Sequence, residues 1–207
     1  MRVRHMYIDF ALIHIIRTVC FTICCMSITV FFLWNQYPVY KAYQQWNMYK
    51  VFYQAGMYKE STQHYEPLYP YLNDQIKFLF EYGRSLSLTE QSEKSNEVLQ
   101  RATQISCDPM LYNIIGKNYQ AMKEYDLAEK SFQKAALIVP NRLYPYYLLM
   151  HLHIETGDKE KAIKNAKIVL TKEPKVPSTA IREMRDEAKK VIENLKIEDE
   201  DEVEENF

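Results

Sequence analysis

Between Thr18 and Trp34 the chain reads TVCFTICCMSITVFFLW, seventeen residues without a charge. A helix of that length spans roughly 26 Å, near the lower limit for crossing a bilayer. Extension back through Phe10-Ala11-Leu12-Ile13 lengthens the run but includes His14 and Arg17, and Arg17 can snorkel to the headgroups. Trp34 and Tyr37 suit the opposite interface. The pattern predicts a membrane helix over about residues 10–34, inside an N-terminal anchor segment 1–36 with a basic start at Arg2 and Arg4. Trp34-Asn35-Gln36-Tyr37-Pro38 is too bulky for a signal-peptidase site, and no lipobox precedes Cys20, Cys24 or Cys25, so the anchor is expected to be retained. Arg2, Arg4 and Arg17 precede the span while Lys41 follows closely, which places the N-terminus in the cytoplasm and the body across the membrane.

Beyond residue 37 the pattern becomes periodic at a longer scale. Gly116, Tyr119, Tyr125, Ala128, Phe132, Ala135 and Pro140 lie at offsets 3, 9, 12, 16, 19 and 24 from the glycine. Ala128 and Ala162 are 34 apart, as are Pro140 and Pro174, with Gly157, Ala166 and Val169 in the same copy. A step back of 33 brings Gly83, Leu99 and Ala102 under Gly116, Phe132 and Ala135, and Tyr49, Gly56, Ser61 and Tyr65 form a degenerate copy earlier still. This series resembles the tetratricopeptide signature. Two antiparallel helices approach closely only where side chains are small, so Gly116 is expected to face Ala128 and its neighbours, with the aromatic filling the gap to the next repeat. Proline ends the second helix because it cannot continue the hydrogen-bond ladder. One such hairpin cannot cover its own apolar faces, so several must stack.

The expected fold is all-α: an N-terminal transmembrane helix followed by a superhelix of about four helix-turn-helix repeats and a capping helix. The repeat domain covers 37–196, with repeats at about 42–74, 75–108, 109–142 and 143–175. Turns are expected near Gly56, Thr89, Lys123-Glu124 and Gly157-Asp158. The capping helix runs over 177–196, its apolar positions Ile181, Met184, Ala188, Val191, Ile192 and Leu195 following steps of 3 and 4. An acidic tail at 197–207 is expected to be disordered. The repeat-packing residues are Gly83, Ala102, Gly116, Ala128, Phe132, Ala135, Pro140, Gly157, Ala162 and Pro174. The rival to this architecture is an ordinary helical bundle with chance spacing.

Composition narrows the function. Gly totals 4, too few for a sandwich or barrel or for a phosphate-cradling loop. Seven acids fall within 198–205, which leaves the rest of the chain mildly basic, well short of a nucleic-acid-binding domain. Cys107 stands apart from the three cysteines of the apolar run and is read as a packing residue. His151 and His153 are about 200° apart on a helix and cannot share a metal. The residues therefore offer no catalytic group, metal site or cofactor, and the expectation is a non-enzyme.

Where repeats stack, the first helix of each lines a groove. The register places Tyr43, Trp46, Lys50 and Tyr53 there, then Lys77, Phe80, Arg84 and Ser87. Met110, Asn113, Lys117 and Gln120 follow, then Tyr144, Tyr147 and His151. The stripe holds no Asp or Glu. Trp46, Lys50, Lys77, Phe80, Arg84, Asn113, Lys117, Tyr144 and Tyr147 are the candidate ligand residues. Cations beside aromatics suit an anionic or carboxylate-bearing ligand or a peptide tail, and aromatic rings suit sugar faces. Lys77, Arg84, Lys117 and Asn113 are expected to converge, with Phe80 and Tyr147 as apolar walls. The plainer alternative is that the rings pack the repeats and the lysines only solvate a helix.

Four further stretches carry a second likeness: Tyr69-Pro70-Tyr71-Leu72-Asn73, Phe78-Leu79-Phe80-Glu81-Tyr82-Gly83, Asn141-Arg142-Leu143-Tyr144-Pro145-Tyr146-Tyr147-Leu148-Leu149, and Pro174-Lys175-Val176-Pro177-Ser178-Thr179-Ala180 with Glu183-Met184. They resemble the repeat-containing C-terminal region of the bacterial O-antigen ligase/polymerase family, over roughly Tyr37 to Leu195. That family's glycan chemistry sits in a multi-span membrane domain that this chain lacks, so none of its catalytic residues carries over. The resemblance implies a membrane-anchored scaffold for protein partners, including membrane components of glycan assembly, in cell-surface polysaccharide assembly. It would sit in the bacterial inner membrane as a single-pass protein with a periplasmic body. The alternative is a fragment of a ligase or polymerase whose catalytic membrane domain is missing.

Overall fold

The computed structural model describes residues 2–173 and 177–204, so Pro174 lies outside the described residues. Every regular element among them is helical. In order they are α1 (Arg2–Gln54), α2 (Tyr58–Tyr65), a 3-10 turn (Glu66–Leu68), α3 (Tyr69–Leu72), α4 (Ile76–Leu88), α5 (Ser92–Thr103), α6 (Pro109–Ala121), α7 (Tyr125–Ile138), α8 (Tyr144–Glu155), α9 (Lys159–Thr171) and α10 (Thr179–Glu204). The chain divides into two compact units, Met1–Met48 and Tyr49–Phe207.

In the first unit, α1 is long and apolar enough to cross a membrane. Its large side chains from Phe21 to Trp34 stand exposed, Trp34 at 81%. The helix does not stop at the expected boundary between 36 and 37. Pro38 lies inside it, removing one amide donor without ending the run.

In the second unit, α4–α5, α6–α7 and α8–α9 are hairpins that pack in sequence, and α10 packs on α9. An earlier turn joins the end of α1 to α2, where His64 stacks on Tyr49 at 4.1 Å and on Phe52 at 5.1 Å. Pro67 and Pro70 then each sit in the first turn of a short helical piece.

The four hairpin turns share one backbone device. Positive φ occurs at Gly56, Glu90, Lys123 and Gly157, spaced 34, 33 and 34 apart. After each, an amide reaches back five residues: Met57 N to Phe52 O, Gln91 N to Leu86 O, Glu124 N to Tyr119 O and Asp158 N to His153 O, all 2.8–2.9 Å. The positive-φ residue itself bonds three back, as in Gly157 N to Ile154 O at 3.1 Å. These pairs satisfy the orphan carbonyls at the helix end, and the left-handed residue that makes them possible favours glycine. Glu90 and Lys123 carry a Cβ where it is disfavoured. Lys123→Gly is therefore expected to stabilise the fold by about 0.5–1 kcal/mol, and Gly157→Ala to destabilise it by about 1 kcal/mol. Urea unfolding checks both signs; a neutral Gly157→Ala would remove the argument.

Among the repeat residues, Gly83, Ala102, Gly116, Ala128, Phe132, Ala135 and Ala162 are buried. Gly157 and Pro140 are exposed, so they shape turns and helix ends rather than fill the core. A Cβ on Gly116 would land on the Phe132 ring, one turn along α7 from Ala128, and one on Gly83 would lie 2.5 Å from Leu99 Cγ. The glycine of the first helix makes room for the large residue of its own second helix. Phe132 also joins Ala128 to Leu148, Leu149 and Leu152, which ties one hairpin to the next.

The cap is built as its spacing predicts. Ala188 is buried with Met150, Ala166 and Val169, and Ile181, Met184, Val191 and Ile192 pack around them. Instead of ending at 196, α10 continues to Glu204 through the acidic run expected to be disordered. Glutamate is a good helix former, and extending an existing helix avoids the nucleation cost. Cys107 is exposed rather than packed.

Candidate functional site

The candidate residues fall into separate places along the first-helix face. Trp46 belongs to the first unit, where it is buried with its ring 5.9 Å from that of Tyr43. Lys50 is half-buried near the end of α1. Lys77 and Phe80 line a cleft of about 410 Å³ with Tyr53, Ile76, Glu81 and Leu111. Arg84 is exposed and interacts with the Tyr53 hydroxyl. Burial pushes the Tyr53 hydroxyl above its ordinary value, with Arg84 opposing the shift, so the phenol is neutral at physiological pH.

The absence of acids from the stripe does not extend to the cleft. Glu81 and Asp108 also line it, but each is engaged. Tyr65 Oη donates to Glu81 Oε2 at 3.1 Å, and Met110 N donates to Asp108 Oδ1 at 2.9 Å, where Asp108 caps α6. Ile76, Phe80 and Leu111 supply the apolar surface, and Lys77 is an exposed cation at its edge.

Lys117 and Asn113 do not join this cleft. Asn113 is 2% exposed, and its Oδ1 has no hydrogen-bond partner among the described residues. Lys117 is exposed, stands 5.4 Å from the Tyr144 ring centroid, and lines a different cleft of about 740 Å³ with Ser87, Lys94 and Asn118. The expected convergence of three cations and one amide is thus replaced by two stations, Lys77 with Arg84 and Lys117 with Tyr144.

Tyr147 differs from its expected role as an apolar wall. Its ring stacks near Tyr144 at 6.3 Å, while its hydroxyl donates to Glu187 Oε2 at 2.6 Å. Burial, followed by the Glu187 carboxylate, pushes the Tyr147 hydroxyl up to about 12. His151 Nε2 lies 3.2 Å from Glu187 Oε1, so one carboxylate from the cap faces two residues of α8. A signal for Glu187 existed in the sequence: it is three residues after Met184 and four before Val191, on the edge of the apolar stripe of α10.

No family model matches the sequence, and no curated protein matches it. Solved structures do share the architecture. MamA from Desulfovibrio magneticus RS-1 superposes with a TM-score of 0.57 at 15% identity, over 61% of this chain and 72% of its own. A thermophilic TPR protein of Thermus thermophilus gives 0.56 at 16%, over 68% and 77%. The fold is that of a tetratricopeptide-repeat protein. The Yersinia enterocolitica type III secretion chaperone SycD, solved in complex with a peptide of the translocator YopD, gives 0.56 at 16%, over 61% of this chain and 95% of its own. At these identities the likeness establishes fold.

Proposed function

We propose that the chain is a membrane-anchored, non-enzymatic scaffold that captures an extended segment of a protein partner along its first-helix face. The observation that carries this reading is the cleft of Tyr53, Lys77 and Phe80, which joins an apolar floor to an exposed cation. A fold neighbour solved with a bound peptide supports it. The apolar part of α1 would serve as the anchor, and Arg2, Arg4 and Arg17 favour a periplasmic body. A role among membrane components of glycan assembly rests on the O-antigen ligase/polymerase resemblance alone.

In this reading an apolar side chain of the partner enters beside Phe80 while an adjacent carboxylate meets Lys77 and Arg84. The test places a photo-crosslinking amino acid at Phe80 in the full chain in its native membrane. A discrete adduct with one partner is expected. Lys77→Ala with Arg84→Ala should reduce its yield about tenfold or more, as loss of two desolvated charge-assisted bonds would. The unfolding midpoint should move little, because both side chains are exposed and the fold loses only the Arg84 contact with the Tyr53 hydroxyl. An undiminished adduct in the double variant would place recognition elsewhere.

A further inference from the structure

The second helices of the last two repeats frame another cleft. It measures about 500 Å³, is walled by α7 and α9, and has Tyr146, Leu149 and His153 of α8 as its floor. One end is polar: Glu129 lies 3.8 Å from His153 Nε2 and 3.7 Å from Lys161 Nζ. The other end is apolar, formed by Ala136, Leu137 and Tyr146, with Lys172 Nζ 4.6 Å from the Tyr146 ring centroid.

Three features point to an occupant. Leu137 is 75% exposed at the rim, a large apolar side chain left in water beside a concavity. His153 is 4% exposed, yet its Nε2 stops beyond hydrogen-bond reach of Glu129. Lys161 and Lys164 line the cleft and are exposed, and Lys130, Lys134 and Lys167 are exposed on the same two helices. Glu129 and Asp158 each already face Lys161, at 3.7 and 3.3 Å. The surface thus suits an acidic segment with some apolar character.

The chain contains such a segment. Seven acids lie within 198–205, and α10 carries the run onward as helix to Glu204. Ala188 is fixed against α9, and on a continuous helix residues 198–204 lie roughly 15–24 Å beyond it along the axis. We propose that the cleft is a self-association site, in which the acidic helical segment 197–204 of one copy lies between α7 and α9 of a second copy and meets Lys161 and Lys164. Two copies can exchange these segments about a two-fold axis, which closes the assembly as a dimer.

Sedimentation equilibrium of the full chain in density-matched non-ionic detergent tests this. A monomer–dimer equilibrium is expected at low salt, weakening as salt is raised. Lys161→Glu with Lys164→Glu should weaken it about tenfold or more, and so should Glu200→Lys with Glu204→Lys. An equimolar mixture of the two charge-reversed variants should restore the dimer at one of its two exchanged contacts. A chain that stays monomeric at low salt overturns the proposal. So does a dimer that survives both reversals, since that would assign association to α1, or a mixture that fails to re-associate.

Discussion

Gly116→Leu is expected to unfold the central repeat, with a loss of more than about 3 kcal/mol. The cause is local and geometric. A Cβ at this position would overlap the Phe132 ring, and Phe132 is fully buried between its own hairpin and Leu148, Leu149 and Leu152 of the next. The ring has nowhere to go, because helix α8 closes the space it would enter. Phe132→Ala alone should cost about 3–5 kcal/mol through the cavity it leaves. The double variant is the informative one. If the glycine exists to seat that ring, Gly116→Leu fills part of the cavity left by Phe132→Ala, and the pair costs less than the sum by at least about 1 kcal/mol. Urea unfolding of the four corners of this cycle measures the coupling. Strict additivity would mean that Gly116 serves some other purpose.

The 34-residue period exposed the hairpins because it records a packing constraint that recurs. Gly56 and Gly157 marked two turns by residue type, whereas Glu90 and Lys123 hold the same left-handed geometry and were locatable only by register. Gly116 was visible as a small residue set against Ala128 and its neighbours, but not which neighbour it seats, the Phe132 ring. Periodicity says that two helices approach, without saying which side chain of the second fills the space. The groove was legible only in part for a related reason. A stripe at steps of 3 and 4 identifies one helix face, but α6 also packs against α4 and α8, and Asn113 ends buried where the stripe had placed it in the open. Lys77, Phe80 and Arg84 share one neighbourhood because α4 carries them all and Tyr53 meets them from α1. Glu187 entered from the cap, an element outside the repeat register. Arg185, on the same cap, donates to Lys172 O at 2.7 Å. Contacts made across elements of different register are the ones a single period does not encode.

Asn118→Leu is expected to cost about 2–4 kcal/mol and to broaden the unfolding transition. Asn118 is 2% exposed at the junction of α4, α5 and α6. Its Nδ2 donates to Ser95 Oγ and to Asn96 Oδ1, both at 2.8 Å, and its Oδ1 accepts from Ser87 Oγ at 2.6 Å. Ser95 Oγ in turn donates to Gly83 O at 2.7 Å. One amide therefore links two consecutive repeats through a network of short bonds in a water-poor junction. Leucine has nearly the same size, so the variant removes the bonds without opening a large cavity. It leaves Asn96 Oδ1 without its donor, on a side chain whose Nδ2 already has no partner among the described residues. Ser87→Ala should cost only about 0.5–1 kcal/mol, because Ser87 is half-buried and its removal frees an acceptor that can turn toward the adjoining cleft. The ordering of the two variants separates a buried network from ordinary surface bonds. In a stack where each repeat is stabilised by its neighbours, a weakened junction lets the two sides unfold at different denaturant concentrations, and the apparent m-value falls. An Asn118→Leu protein that unfolds at the wild-type midpoint with the wild-type slope would show that apolar packing alone, through contacts such as Gly83 with Leu99, couples these repeats.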